Sequence, residues 1–494
     1  MQNRRDQLQA HRFVVGRMAS ATLRAEPDAP QSPLRRFLVG TFIGLMLAVL
    51  AVAGFAVFGL ISPGGKTSWQ EPGALILEKG TGARYVFADG QLKPVLNHTS
   101  AKLILGGDLR TVSVSRKSLA GVPHGLPIGI PSAPDFLPDP GRLGGDQWRV
   151  CSALRPDETG ADRPHVTLQV GADAGAGTRL GSGEALVARS PAGETYLVWN
   201  GQRLRIPDQA TLAALGYGTA RPYAVGPAWL NAVPAGPDLK APAVPRRGKP
   251  GPRLDGQPTV VGQVLTAPAA GGEQFFLLQA DGLEPLTATA AALVLGDPDT
   301  AQAYPGGSAA AVRARPISPA ALAAAPRAAR PAVDAGLPAT PPAIAASPTG
   351  EVPCLDISLG AERDATVQVT LATPAADRAA GEPGARSPRD PGQVDRVLVQ
   401  PGGGLLARAQ PGPGVAAGTL YLLTDTGVRY PLPAEDVAGA LGYGEVTPVA
   451  VPGTLLALIP AGTPLDPDAA RSVLPVTPPD QIRPRPTTST DNGP

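Results

Sequence analysis

Two features of this chain combine residue types and spacings that suggest chemistry: a Gly-Lys-Thr triplet and a pair of cysteines. Gly65, Lys66 and Thr67 close the run Ser62-Pro63-Gly64-Gly65-Lys66-Thr67. Such an ending is how a phosphate-binding loop offers backbone N–H groups, an ammonium and a hydroxyl to a nucleotide. The full pattern needs a glycine five positions before Gly65, where Leu60 stands, and it follows a strand, whereas this run follows a long apolar stretch. The triplet is therefore a weak nucleotide-binding candidate, with ATP as the ligand it would take. The four histidines, His11, His98, His124 and His165, are widely separated. Asp135 and Asp139 sit in a Pro-rich turn and read as solvated. No G-x-S-x-G elbow, H-E-x-x-H pair or EF-hand loop occurs, so neither catalysis nor a metal site is signalled.

Cys151 and Cys354 lack a second Cys or a His at ligand spacing, which argues against zinc. They are either two buried thiols or one disulfide, and the compartment decides between these. The span Phe37 to Ile61 fixes the compartment. It carries no charged residue, and at about 1.5 Å per residue it makes a helix of roughly 37 Å, enough to cross a hydrocarbon core of ~30 Å. Arg4, Arg5, Arg12, Arg17, Arg24, Arg35 and Arg36 precede it against Asp6, Glu26 and Asp28. Such an excess is retained in the cytoplasm, so the body after the span is expected outside. The triplet Ala51-Val52-Ala53 lies inside the apolar run rather than after it, which favours an uncleaved anchor over a signal peptide. Outside, thiols oxidise, and Cys151 is expected to pair with Cys354. Closing a loop of roughly 200 residues is worth about 5 kcal/mol in the chain-entropy model. The formal charge of +2 and the lack of a basic stripe beyond the head and Arg246-Arg247-Gly248-Lys249 exclude broad nucleic-acid binding.

The body repeats itself. Four segments share an apolar strand, a Gly-containing turn, a second strand meeting Pro, a short helix-like run and a Leu-Gly stop. The turn glycines are Gly90, Gly201, Gly282 and Gly427, and the stop glycines are Gly106, Gly216, Gly296 and Gly442. Asp-Gly and Asn-Gly tolerate the positive φ of a tight hairpin, and a glycine in left-handed conformation ends a helix. Ser100, Asp208, Thr289 and Asp436 are the expected helix N-caps. The second and fourth segments share Leu-Gly-Tyr-Gly, at 215–218 and 441–444, and later Val233-Pro234-Ala235-Gly236 against Ile459-Pro460-Ala461-Gly462. Between repeats lie two Cys-bearing stretches that alternate like half-buried strands, 148–151 with 166–170 and 352–354 with 367–371.

The expected fold class is α+β: a single-pass N-terminal transmembrane helix, then four small α+β repeats around a central β core clamped by the disulfide. The expected divisions are a basic head (1–36), the membrane helix (37–61), a juxtamembrane linker (62–82) and repeat 1 (83–140). Core half A (141–183), repeat 2 (184–240), a linker (241–258) and repeat 3 (259–330) follow, then core half B (331–404), repeat 4 (405–472) and a disordered tail (473–494). Turn and breaker residues also mark linkers within 308–350 and 375–392.

The head run Asn3 to Phe13 with Arg17 and Met18, one signal anchor, Pro-Gly beyond it, four repeats and two flanking cysteines together resemble the EccB family of type VII (ESX) secretion systems. The resemblance spans nearly the whole chain. It implies an inner-membrane complex with EccC, EccD and EccE beside a mycosin protease. It also brings an ATPase label that no complete motif in this chain supports.

Two functions from different classes follow. One is a structural and assembly subunit whose body self-associates outside the membrane, on strand edges expected to be open, while helix and head engage other components. It needs no cofactor. The other is a membrane-anchored ATP hydrolase resting on Lys66. A module that binds cell wall is a third.

Overall fold

The computed structural model describes residues 3–25, 33–61, 67–157, 159–171, 177–269, 271–328, 336–345, 350–360, 365–373, 390, 392–412 and 418–474. Two compact units result, one of 1–92 with 110–124 and one of 93–109 with 125–494. In the first, helix α1 (Arg4–Arg24) and helix α2 (Pro33–Ile61) precede the body. Phe37–Val57 within α2 is long and apolar enough to cross a membrane, and none of it is buried against protein.

The first repeat contributes β1 (Ala74–Glu78), β2 (Arg84–Ala88), β3 (Gln91–Pro94), α3 (His98–Leu105), β4 (Arg110–Val114) and α4 (Arg116–Leu119). Its sheet order is β3-β2-β1-β4, with β1 antiparallel to β2 and parallel to β4. Next come β5 (Gln147–Pro156), β6 (Asp162–Val170) and β7 (Thr178–Arg179). The second repeat holds β8 (Glu184–Arg189), β9 (Thr195–Trp199), β10 (Gln202–Ile206), α5 (Gln209–Ala214), β11 (Tyr223–Ala224) and α6 (Pro227–Ala232). The third holds β12 (Val264–Ala269), β13 (Gly272–Gln279), β14 (Gly282–Leu286), α7 (Ala288–Gly296), β15 (Arg315–Pro316) and α8 (Pro319–Ala324), followed by β16 (Ala343–Ile344). Then come β17 (Val352–Ser358), β18 (Thr366–Ala372) and β19 (Arg396–Leu398). The fourth repeat has β20 (Gly404–Gln410), β21 (Leu420–Thr424), β22 (Arg429–Leu432), α9 (Glu435–Ala440), β23 (Val449–Pro452) and α10 (Gly453–Leu456), and α11 (Pro467–Arg471) closes the described chain.

All four repeat sheets have one topology: a three-strand meander, a helix, and a fourth strand returning parallel to the first. The sequence pattern showed only the middle hairpin and the helix. The opening strands β1, β8, β12 and β20 and the returning strands β4, β11, β15 and β23 were not in it. The opening strand of repeat 1 lies in the 62–82 stretch expected as linker, and β15, α8 and β16 lie within 308–350. The tail from 475 onward and most of 375–392 lie outside the described residues.

In the second unit a six-stranded sheet has the order β19-β6-β5-β17-β18-β7. Its two central strands come from opposite halves of the chain and pair antiparallel, Cys354 opposite Cys151. Period-two alternation assigns their faces. Trp148, Val150, Leu355 and Ile357 fill the main core together with Val166, Leu168, Val369 and Leu371. That core also holds Leu186 and Val198 of repeat 2, Leu405 and Leu423 of repeat 4, Trp229 of α6 and Leu455 of α10. The α+β architecture with a disulfide-clamped core is thus the one expected from the sequence.

Candidate functional site

The covalent centre is the Cys151–Cys354 bond, S–S 2.05 Å, closing a sequence separation of 203. Cys354 is fully buried and Cys151 nearly so. On the same face of the sheet, the Arg149 guanidinium meets Asp356 Oδ1 at 3.0 Å across the β5–β17 register, and the Thr370 hydroxyl donates to Asp356 Oδ2 at 2.6 Å. A buried ion pair is a weak source of net stability, but removing one partner leaves an uncompensated charge.

Repeats 2 and 4 press on this sheet at their hairpin turns. In repeats 1 and 2 the two-residue turns Asp89-Gly90 (φ 55° and 73°) and Asn200-Gly201 (φ 48° and 70°) have positive φ at both positions, as a type I′ turn requires. A Cβ on Gly201 would strike the Val367 carbonyl of β18, and one on Gly427 would crowd Val397 of β19. Gly427, at φ 76°, lies in the four-residue connection from β21 to β22. Gly282 departs from the expected turn role: it opens the return strand β14, where a Cβ would meet the Pro326 backbone.

The stop glycines divide similarly. Gly106, Gly216 and Gly442 have φ of 95°, 82° and 91° and end their helices as expected. Gly296 is the last helical residue of α7, and Asp297 follows it as the C-cap. A Cβ on Gly296 would fall on that of Ala214, so this glycine permits close approach of α7 to α5. Of the expected N-caps, Asp208 is one: it accepts from the Thr211 N–H at 2.7 Å, and that bond holds its carboxyl below the usual range. Asn97 and Thr287 cap α3 and α7 instead of Ser100 and Thr289, because each helix begins two or three residues earlier. Ser100 Oγ accepts from the Ile130 N–H. Asp436 lies in the first turn of α9, which has no side-chain cap.

The hairpin edges are not open. In every repeat an X-Pro segment lies along the outer hairpin strand. The N–H groups of Leu92, Arg203, Leu283 and Arg429 donate to the carbonyls of Pro123, Pro234, Pro326 and Pro460, at 2.8, 2.9, 2.7 and 3.0 Å. Each strap makes one parallel bridge, to His124, Ala235, Arg327 or Ala461. The strap thus covers the outer strand of each hairpin with a bridge of a single residue.

Two further contacts tie the halves together. The Tyr217 hydroxyl of the second repeat donates to the Pro342 carbonyl at 2.8 Å, and that of Tyr443 in the fourth to the Pro138 carbonyl at 2.7 Å. Burial pushes both phenols above their ordinary range. Each carbonyl belongs to the connector that feeds a central strand, β17 or β5. The helices cross over as well. Leu103 of α3 packs with Val437 and Leu441, and Lys102 Nζ donates to the Leu441 carbonyl at 3.0 Å. Leu293 of α7 packs with Leu212 and Leu215. The shared Leu-Gly-Tyr-Gly run marks the positions of these tyrosines, and the Pro-Ala-Gly runs mark two of the straps, but neither spacing reveals the partner.

Nothing in the described residues assembles a reaction centre from the sequence candidates. Gly65 and Lys66 lie outside the described residues, and Thr67 is exposed before a short turn at Ser68–Gln70. The histidines stand in four different elements. His98 N–H donates to Asp135, and the His124 ring stacks edge-on with Tyr85. An open cleft of about 390 Å³ on repeat 2 is lined by Arg189, Glu194, Thr195, Arg205 and Asp208, the last already engaged as a cap. The geometry is that of a braced framework.

The model of the family described as "Type VII secretion system ESX-1, transport TM domain B", T7SS_ESX1_EccB, matches residues 2–478. The chain belongs to the EccB family. The ESX-3 secretion system ATPase EccB3 of Mycolicibacterium smegmatis is 31% identical over 493 residues, covering 93% of this chain and 88% of that protein. The EccB3 of Mycobacterium tuberculosis is 32% identical over 306 residues, 59% of this chain, and the match spans 56% of that relative's length. Among solved structures, the fold recurs in a chain of an intact ESX-5 inner membrane complex, with TM-score 0.64, 25% identity and 98% of both chains covered. It recurs in an EccB3 dimer from the ESX-3 core complex, with TM-score 0.62, 26% identity, 81% of this chain and 100% of that one. The chain is accordingly a membrane component of a type VII secretion system.

Proposed function

We propose that this chain is a structural and assembly subunit of a type VII membrane complex, with its head in the cytoplasm, α2 in the bilayer and its body outside. In this reading the body mediates self-association, and helix and head engage EccC-, EccD- and EccE-like components beside a mycosin protease. The observation that carries it is the packing of repeats 2 and 4 onto one disulfide-clamped sheet, in a chain that matches a subunit of an ESX-5 inner membrane complex over 98% of its length. The Arg excess before α2 supports the orientation. No cofactor enters this function.

Two experiments test it. Protease added to intact spheroplasts should digest the body and leave the head, and a protected body contradicts the orientation. Solubilised membranes from cells lacking the chain should yield no intact complex, and an unaltered complex contradicts the scaffold role. Membrane-anchored ATP hydrolysis is the alternative, favoured by the names of the relatives. Changing Lys66 to Ala should leave any ATP turnover of the purified complex intact, whereas abolished turnover would favour the alternative.

A further inference from the structure

Repeats 2 and 4 share one framework and differ by one ion pair. Arg189 stands opposite Thr195, and Thr195 opposite Ile206. At the same register repeat 4 sets Arg408 opposite Leu420, and Leu420 opposite Leu432. Three residues past Leu432, Glu435 opens α9, and three past Ile206, Gln209 opens α5. In repeat 4 the Arg408 Nη1 donates to Glu435 Oε1 at 2.8 Å, a bond that crosses from β20 to the helix and leaves the Arg408 side chain 27% exposed. Gln209 has no charge to offer in return. Arg189 is exposed, and its side chain makes no ion pair or hydrogen bond among the described residues. Repeats 1 and 3 have Leu77 and Thr266 at this register, so the arginine is particular to the second and fourth.

The cleft on repeat 2 opens where the ion pair is missing. Arg189 and Gln209 both line its volume of about 390 Å³, together with the buried Ile206 and Leu212. Arg205 lines it too, exposed and likewise without an ion pair among the described residues. The two carboxylates of the lining are already engaged, Glu194 Oε2 accepting from the Tyr196 hydroxyl at 3.1 Å and Asp208 capping α5. A guanidinium in a concave site takes a carboxylate through charge-assisted hydrogen bonds, with a geometry that an ammonium does not impose. The volume lies at the lower end of what binding clefts enclose, enough for a short stretch of peptide.

We propose that the cleft of repeat 2 binds an acidic side chain on an extended segment of a partner protein, with Arg189 holding the carboxylate in the place that Glu435 fills in repeat 4. The chain itself shows what an arginine at this register takes, a glutamate carried on a polypeptide. No aromatic ring lines the cleft for a sugar face to stack on, which favours peptide over glycan. Such binding is additional to the assembly role, and its failure leaves that role untouched.

The test is fluorescence anisotropy of acetyl-Gly-Glu-Glu-Gly-amide, labelled with a neutral fluorophore, titrated with the full chain in detergent. The same peptide with Gln for Glu is the reference. The acidic peptide should bind about tenfold more tightly than the reference. Arg189→Ala should lower its affinity by about tenfold, and Gln209→Glu should do the same by rebuilding the pair of repeat 4. Gln209→Glu should melt at the wild-type temperature or above, so that its loss of binding reports the cleft and not misfolding. The reverse change, Glu435→Gln, should free Arg408 and add a second site to each chain. Equal binding of the two peptides, or wild-type affinity in both Arg189→Ala and Gln209→Glu, overturns the site. A soluble muropeptide that binds where the acidic peptide does not overturns a protein segment as the occupant.

Discussion

Reducing the Cys151–Cys354 bond should destabilise the body without undoing its topology. The bond closes a loop with a sequence separation of 203, for which the chain-entropy model gives about 5 kcal/mol lost from the unfolding free energy, an upper figure. Five registered pairs between β5 and β17 remain to hold the central strands together. Trp148 and Trp229 lie fully buried in the core on that sheet and report its opening. Urea unfolding of the full chain, followed by tryptophan fluorescence, should shift to lower denaturant after reduction or in Cys151→Ser/Cys354→Ser, with a native baseline retained. Because the sulfurs are buried, a phosphine reductant should act slowly in native buffer and faster as urea opens the sheet. Identical unfolding curves for oxidised and reduced chains would refute the entropic argument. Immediate reduction in native buffer would refute the burial.

Arg149→Ala should cost roughly 3–5 kcal/mol by stranding Asp356, whereas Arg149→Met/Asp356→Leu should be nearly neutral; the same urea titration separates the two. Tyr443→Phe and Tyr217→Phe should each cost about 1 kcal/mol, because each leaves a Pro carbonyl unpaired. The pH dependence has a definite sign. The ordinary phenol value is 10.0, and burial raises the folded value of both tyrosines. Their neutral form is therefore worth stability that is complete below pH 10.0 and lost as pH rises toward the folded value. Alkaline melts above pH 10.0 should fall less steeply in the doubly substituted chain than in the wild type.

What the sequence disclosed follows from local chemistry. Asn200-Gly201 announces a type I′ turn because both positions need positive φ, and an uncharged run over Phe37–Ile61 announces a span because lipid tolerates no unpaired polar group. The pairing of Cys151 with Cys354 followed from compartment and count. Non-local relations were hidden. The returning strands β11 and β15 are two residues long, too short for any periodicity to register. The Pro straps act through a few backbone hydrogen bonds between residues far apart in sequence, in which side-chain pattern has no part. Gly296 shows the converse limit, since its place after Leu matches the other stops while α7 needs it for contact with Ala214. Asn97 and Thr287 were missed as caps because Ser100 and Thr289 also suit the role chemically, and only the backbone chooses between them.

The central claim is that the braced body, and not the anchor alone, builds the complex. In cells lacking the chain, the native mass of the solubilised membrane complex should be restored by the full chain, with or without Lys66→Ala, and not by residues 1–66 alone. Full restoration by the head and helix would contradict the account.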